Sequence, residues 1–449
     1  MKYATSIVVV AFMLALTSSF TGAIAHARQA PQQNAAALPA SLDDANRRAV
    51  VEAAAKVLRE RYVFPDVGAQ AAQAIESALG AGDYKSLDQP RAFAQRLTDD
   101  LRAIAKDKHL RVTAPGAPAG EPAAAPPPRT DGGVTRADIL DGNVGYIEVA
   151  GFPNGAKDPV DRAMAALQKT RALIVDVRRN NGGSPDSVSY LVSYFVRSGE
   201  RVHINTFINR NPGTETFRST DFFSEPTPFS YAGKPVYVLT SVRTFSGGEE
   251  FAYDMQVMKL AELVGETTGG GANPGGTVPL AAGLAMFIPG GRAMNPTTKT
   301  NWEGVGVIPD VAVSSENALK VALERLGVSR AAVDIDAVSQ SRVFAPRTTP
   351  QPGGEATVRR VSEELARGEP NYDLLTPQMA DVTRQQLPAL KQRISSLGPV
   401  QSVTFVEVGP NGGDVYEVRY ANGGLRWIIS LTSDGKLANA GLQPLANRP

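Results

Sequence analysis

The residues best suited to chemistry lie where short apolar runs give way to small residues. Val236 to Thr240 is a β-branched run that reads as a buried strand, and Glu249 to Met258 reads as a helix. Ser246, Gly247 and Gly248 stand at the junction. A serine there sits beside backbone N–H groups that have no partner inside the helix and that lie at the positive end of its dipole. Acyl transfer needs such a place, because the nucleophile and the donors for a developing oxyanion must be neighbours. The same serine also reads as an N-cap, which a residue ahead of Gly-Gly-Glu-Glu fills well. Thr244 occupies the first glycine position of G-x-S-x-G, so a lipase-type elbow is excluded.

A second strand-to-helix junction is Asp176-Val-Arg-Arg-Asn-Asn-Gly-Gly-Ser-Pro-Asp186. Ser184 reads as an N-cap and Pro185 as the first helical residue. Gly182 and Gly183 could then present their N–H groups above the strand ends, with glycine permitting close approach. If the two junctions face each other, one supplies the nucleophile and the N–H of Gly247, and the other a second oxyanion donor; a plain tight turn is the alternative.

Three histidines occur, His26, His109 and His203. His109 lies in Asp107-Lys-His-Leu110, and His203 reads as the polar face of a strand. Glu303 follows Trp302 in a glycine-rich turn, as a solvated charge or a working carboxylate. Some motifs are set aside. Gly269-Gly-Gly-Ala-Asn-Pro-Gly-Gly276 lacks both the lysine and the spacing of a phosphate loop. Ser433-Asp-Gly-Lys436 matches S-x-x-K but reads as a hairpin turn, and Glu249-Glu250 are first-turn carboxylates favoured by the macrodipole.

The 449 residues suffice for two or three domains, and 43% hydrophobic with 20% charged residues is ordinary for a globular protein. A net charge of +1 gives no reason to expect nucleic acid as a partner. The absence of cysteine rules out disulfides, thiolate metal sites and a cysteine nucleophile, and three histidines make a multi-histidine metal site improbable. No metal and no cofactor is expected. Lys2, the apolar run Ile7 to Leu16 and Ala23-Ile-Ala25 read as a signal peptide, too short to span a bilayer. The mature chain is therefore expected to begin near His26 and to be periplasmic or extracellular, without stable membrane insertion.

The pattern divides the chain into a signal peptide (1–25), a disordered stretch (26–40), a helical N-terminal domain (41–113), a Pro/Ala linker (114–131), an α/β core (132–330), a second linker (331–355) and an α+β accessory domain (356–449). In the first domain Ser41 reads as the N-cap of the opening helix. In the core, strands at 145–148, 172–177, 236–240, 262–265 and 284–288 alternate with helices at 159–168, 186–196, 249–260 and 315–326. This is an α/β pattern with glycine-rich loops at strand ends, where such folds place their sites. The last domain reads as two helices followed by strands at 402–408, 414–420 and 425–432, with turns at Asn411-Gly412 and Asn422-Gly423.

Five blocks taken in order resemble the tail-specific (C-terminal processing) serine protease superfamily: Asp107-Lys-His-Leu110, Asp176 to Gly183, Thr240 to Glu250, Val264 to Asn273, and Gly304 to Asp310. The resemblance covers roughly residues 41–330 and implies a crotonase-like ββα spiral core. One branch of that superfamily uses a lysine base after the glycine-rich stretch and carries a PDZ domain. Here Gly269-Gly-Gly-Ala-Asn273 has no lysine and the linker stands where the PDZ domain would be. The chain is therefore more similar to the branch of tricorn protease and the interphotoreceptor retinoid-binding protein modules. That likeness implies His109 as base, Glu303 as third member, Ser246 as nucleophile, and the N–H groups of Gly247 and of Gly182 or Gly183 as the oxyanion hole. The accessory domain resembles cystatin-like domains attached to secreted hydrolases.

The expected function is an exported serine peptidase acting on a peptide or protein substrate. The alternative is a non-catalytic module holding an apolar ligand or peptide on the same fold. Substrate specificity and assembly into a homo-oligomer are left open.

Overall fold

The computed structural model describes residues 41–114, 129–328 and 334–445. The expected signal peptide and disordered stretch lie outside those residues, as do 115–128 of the first linker, 331–333 of the second, and 329–330 at the end of the expected core.

The described residues open with α1 (Asp44–Arg61), α2 (Pro65–Ala81) and α3 (Pro90–Ala105). The N-cap of α1 is Asp43, whose carboxylate accepts the N–H of Asn46 at 2.7 Å, not the Ser41 expected from sequence. With the helix starting at Asp44, Ser41 is two residues too early to reach a first-turn amide. Pro65 and Pro90 open the next two helices, where a missing N–H costs nothing. Val50, Leu58 and Leu97 from these helices share a core with Leu284, Met286 and Ile288, which come from the far end of the chain's centre. The helices thus pack on a small sheet in which β1 (Arg111–Thr113) is one edge strand.

The centre is a seven-stranded mixed sheet. β2 (Val134–Leu140) and β3 (Val144–Val149) form an antiparallel pair. After α4 (Lys157–Leu167) comes β4 (Ala172–Asp176), parallel to β3, and then α5 (Pro185–Ser193). An excursion of β5 (His203–Arg210) and β6 (Phe217–Phe223) returns to β7 (Val236–Thr240), parallel to β4, then α6 (Gly247–Val257) and β8 (Glu262–Gly265). β9 (Gly275–Pro279) and β10 (Ala285–Pro289) complete the small sheet against β1, and β11 (Gly291–Met294) pairs with β5. β12 (Val311–Ala312) joins the edge of the main sheet, followed by α7 (Ser315–Arg325). A turn of helix, α8 (Ile335–Val338), leads to β13 (Ser339–Phe344) on the opposite edge, giving the order β12-β8-β7-β4-β3-β2-β13.

Alternate residues along the parallel strands feed two cores. Leu173, Val175 and Leu263 pack with Leu191, Phe251 and Met255 on one face, while Ile174, Leu239 and Val264 pack with Leu319 and Leu323 on the other. A strand covered on both faces must be apolar at every position, and Ala172-Leu-Ile-Val175 is. Of the sheet β11-β5-β6 only the strand at His203, the start of β5, was read from the sequence, because β6 is largely exposed and β5 mixes polar with apolar residues.

Beyond the core, α9 (Gly354–Arg367) and α10 (Pro377–Leu397) cover an antiparallel sheet of β14 (Val400–Val408), β15 (Asp414–Tyr420), β16 (Gly423–Leu431) and β17 (Leu437–Pro444). It has its own core around Leu365, Ile394, Val418 and Trp427. Three of these strands were expected; β17 is the addition, and Ser433-Asp-Gly-Lys436 is the turn that leads to it. Among the described residues no helix is long and apolar enough to cross a membrane.

A pair of carboxyl side chains lies inside the central core. Glu250 and Asp254, one turn apart on α6, are buried, with Asn205 donating to Glu250 at 3.3 Å and Asn295 to Asp254 at 3.0 Å. Burial pushes Glu250 up to about 8 and raises Asp254 too, with Asp186 adding to the first and Glu250 to the second. A carboxyl whose folded value is raised keeps its proton where the unfolded chain has lost it. Stability therefore falls as pH rises from the free-carboxyl value of 4.5 to about 8. Glu250→Gln should flatten that decline and raise the melting temperature at pH 8 more than at pH 5. Equal shifts at both pH values in thermal unfolding would refute the buried-acid account.

Candidate functional site

β4 and β7 are parallel neighbours, so the loops leaving their carboxyl ends emerge side by side. The two loops are laced together. Ser241 Oγ donates to the Arg178 carbonyl at 2.6 Å, Thr244 Oγ1 to that of Val177 at 2.9 Å, and the N–H of Phe245 to that of Asn180 at 2.9 Å. Ser246 is held at φ 53°, ψ −120°, a conformation that side chains avoid and that costs of order 1–3 kcal/mol. The turn presents Ser246 at the amino end of α6.

Gly182 and Gly183 pack directly against it. A Cβ on Gly182 would stand 2.7 Å from Ser246 Cβ, 2.8 Å from the Gly247 nitrogen and 3.1 Å from Ser246 Oγ. A Cβ on Gly247 would stand 2.9 Å from the Gly183 nitrogen. Both expected glycine loops therefore meet at the serine. Of the donors expected from sequence, Gly182 is occupied, since its N–H is donated to Asn180 Oδ1 at 2.8 Å. The N–H groups of Gly183 and Gly247 have no acceptor among the described residues.

His109 lies after α3 with its ring against Phe245 (4.6 Å between centroids) and Phe287 (5.7 Å). The backbone N–H of His109 is donated to Asp107 Oδ1 at 2.9 Å, and Asp107 Oδ2 accepts from Tyr62 Oη at 3.1 Å and Asn273 Nδ2 at 2.9 Å. Glu303 Oε2 accepts the N–H of Ala272 at 2.5 Å. One ring nitrogen of His109 and one carboxylate oxygen each of Glu303 and Asp107 lie within 4.8 Å of one another. His109 Nδ1 and Glu303 Oε1 are both buried without a hydrogen-bond partner. Burial, helped by Arg111 and Arg102, holds the imidazole down at about 4, so it is neutral at physiological pH. Burial and the charge of Asp107 push Glu303 up to about 7. No hydrogen bond joins His109 to Ser246 among the described residues; Phe245, the chain neighbour of Ser246, bridges them by ring contact. His203 is elsewhere, bonded to Thr206 Oγ1 at 2.9 Å in the β5–β6 sheet.

The residue that sequence reading undervalued is Glu249. Its carboxylate is fully buried and accepts four donors: the N–H of Ser246 at 2.9 Å, Thr268 Oγ1 at 2.5 Å, and the N–H groups of Gly270 at 2.5 Å and Gly271 at 2.8 Å. Gly271 in turn abuts His109, where a Cβ would stand 2.7 Å from Cε1, and its carbonyl accepts from Trp302 Nε1 at 2.8 Å. Glu249 thus joins the serine turn to the loop that seats His109 and Glu303. The S-x-x-E spacing of a capping box, Ser246-Gly-Gly-Glu249, was the available signal. Asn180 and Asp107 each accept an N–H from two residues on, but their bonds to Val149, and to Tyr62 and Asn273, join segments distant in sequence and gave no local signal.

Comparison with known proteins identifies a family. The model of peptidase family S41 matches residues 143–313, and that of the N-terminal domain of Peptidase_S41 in eukaryotic IRBP matches residues 43–135. Among solved structures, a putative peptidase from Parabacteroides merdae is 21% identical over 60% of this chain and 90% of its own (TM-score 0.45). The photosystem II D1 C-terminal processing protease is 18% identical over 60% and 94% (TM-score 0.39), and the tricorn protease 15% over 66% and 36% (TM-score 0.42). At such scores the structural likenesses carry no weight of their own; the two family models together span more than half of the chain.

Glu249→Gln preserves the size of the side chain but turns an amide toward N–H donors. It is expected to cost about 2–4 kcal/mol of stability and at least about tenfold in peptide hydrolysis. Denaturant unfolding together with turnover checks this; a variant within about 0.5 kcal/mol of wild type would remove Glu249 from its linking role.

Proposed function

Since the chain belongs to peptidase family S41 and is a serine peptidase, we propose that it is exported and cleaves peptide bonds with Ser246 as nucleophile, His109 as general base and Glu303 as the carboxylate behind the histidine. The observation that carries this reading is the meeting of Ser246, in its strained turn, with the free N–H groups of Gly183 and Gly247. Two donors beside one half-buried nucleophile are what stabilising a tetrahedral oxyanion requires.

Ser246 Oγ attacks the substrate carbonyl carbon while its proton passes to His109, and the charge that gathers on the carbonyl oxygen is taken by Gly183 and Gly247. Collapse breaks the C–N bond, and His109 returns the proton to the departing amine. Water then repeats the cycle on the acyl-enzyme, releasing the acid and restoring the serine. The neutral imidazole supports the base role, and Glu303 is the carboxylate that meets the imidazolium once it forms. In an apo site the serine–histidine hydrogen bond commonly closes only with substrate present.

The same reading extends to the architecture. The parallel strands β3, β4, β7 and β12, each followed by a helix, support a crotonase-like spiral for the core, and helices laid over an antiparallel sheet support a cystatin-like C-terminal domain. Export follows from the first 25 residues, which have the composition of a signal peptide.

Two measurements test the reading. A fluorophosphonate probe should label the wild-type protein and not Ser246→Ala; no labelling, or labelling that survives the substitution, removes Ser246 from the mechanism. The pH profile tests the carboxylate. Glu303 is charged only above about 7, so kcat/KM should rise through an inflection near that value and then level off. Glu303→Gln should lose the inflection and lower the plateau. A profile that keeps the inflection in the variant would assign it to another group.

A further inference from the structure

The C-terminal domain touches the core where backbone packing leads directly to the serine. The contact starts at Arg347, on the chain leaving β13. Its guanidinium pairs with Asp414 at 3.0 Å and with Asp131 at 3.4 Å, and donates to the carbonyl of Gly412 at 2.7 Å. Both carboxylates are almost fully buried, at 0% and 5% side-chain exposure, so this is a desolvated junction rather than a surface ion pair. Thr130 reinforces it, its N–H donating to the carbonyl of Pro410 at 2.7 Å. Gly412, at φ +82°, lies so near that a Cβ would stand 2.9 Å from the carbonyl oxygen of Thr130.

From there the path runs through backbone. Asp131 and Val134 exchange hydrogen bonds of 2.9 and 3.1 Å around Gly132-Gly133. The Gly133 carbonyl accepts from Ala150 at 2.8 Å, and a Cβ on Gly133 would fall on the carbonyl oxygen of Gly151. Phe152 then donates to the carbonyl of Gly182 at 2.9 Å and accepts from Ser184 at 2.6 Å, and a Cβ on Gly183 would fall on the Phe152 carbonyl. Gly182 abuts Ser246, and Gly183 abuts Gly247. At each step backbone meets backbone without a flexible side chain between them, so the position of one segment fixes that of the next.

We propose that the C-terminal domain is a brace for the oxyanion loop, and that Arg347 and Asp131 are positioning residues that set the Gly183 N–H opposite that of Gly247. This rests on the assignment of those two groups as the oxyanion donors. The hairpin turn at Gly412, held by Arg347, presses on Thr130 and Asp131; they fix the Gly132-Gly133 turn, which sets the Gly151-Phe152 segment against which Gly182 and Gly183 pair. Neither Arg347 nor Asp131 touches the serine, so their effect must appear in transition-state stabilisation rather than in substrate binding.

The test uses the full-length protein with Arg347→Ala, Arg347→Lys and Gly412→Ala, the last forcing the turn away from Thr130. Misplacement of a reacting geometry from a distance costs up to about 10²-fold, so kcat should fall about tenfold or more in Arg347→Ala while KM stays within about twofold. A peptidyl trifluoromethyl ketone, whose serine adduct places a negative oxygen in the hole, should weaken by the same factor, and a non-covalent product peptide should bind as before. Arg347→Lys should recover part of the loss, since it keeps the charge between Asp131 and Asp414. Unchanged kcat and ketone affinity, or losses falling on KM and product binding instead, would overturn the brace. If Arg347→Ala does not fold, the other two variants decide by the same criteria. A wild-type protein inert to fluorophosphonate would remove the serine assignment, and the brace with it; a reactive wild type with indifferent variants removes the brace alone.

Discussion

The site depends first on one buried carboxylate. Burying an ionised group without partners is prohibitive, and Glu249 is tolerable only because four donors converge on its two oxygens. Those donors come from the serine turn and from the loop at 268–271, so the electrostatic need of one side chain fixes two loops relative to each other. From Gly271 the constraint passes to the seat of His109 and to the Trp302 indole, next in sequence to Glu303. The proposed base and carboxylate thus stand on a loop that is itself fastened to the nucleophile's first helical turn.

The complementary constraint is steric. Gly182, Gly183 and Gly247 are placed where a side chain would collide with Ser246 or with another backbone, and Ser246 takes a conformation that its own side chain disfavours. Such strain persists only where surrounding bonds over-determine the chain. Here they do: hydrogen bonds from Ser241, Thr244 and Phe245 hold the turn from one side and the Glu249 carboxylate holds it from the other.

The surroundings also set protonation. Asp107, Glu303, Glu250 and Asp254 all lie in poorly solvated positions that raise them, and the same burial keeps His109 neutral. Water-poor ground of this kind strengthens every hydrogen bond offered to a developing charge. It is also the reason for the expected decline in stability as pH rises, because the chain holds several acids in places that favour the proton. Function and pH-sensitivity come from the same burial.

The sequence by itself determined the elements and the candidate atoms. The run Ala172 to Val177 reads as an apolar strand and the glycine pairs stand at strand-to-helix junctions, so the serine and its two junctions were legible from local pattern. The five blocks taken in order brought His109 and Glu303 into consideration by resemblance alone. What the tertiary structure decided was which groups are free. Gly182 and Gly183 are equivalent as neighbours in sequence, yet Asn180 occupies the N–H of the first and leaves that of the second open. Glu249 is an ordinary first-turn acid until the loop at 268–271 closes over it. Arg347 is a linker residue until Asp131 and Asp414 meet around it. Local propensity acts over a few residues, whereas hydrogen-bond occupancy and burial depend on segments as far apart in sequence as Asp131 and Arg347, and only the folded chain brings those together.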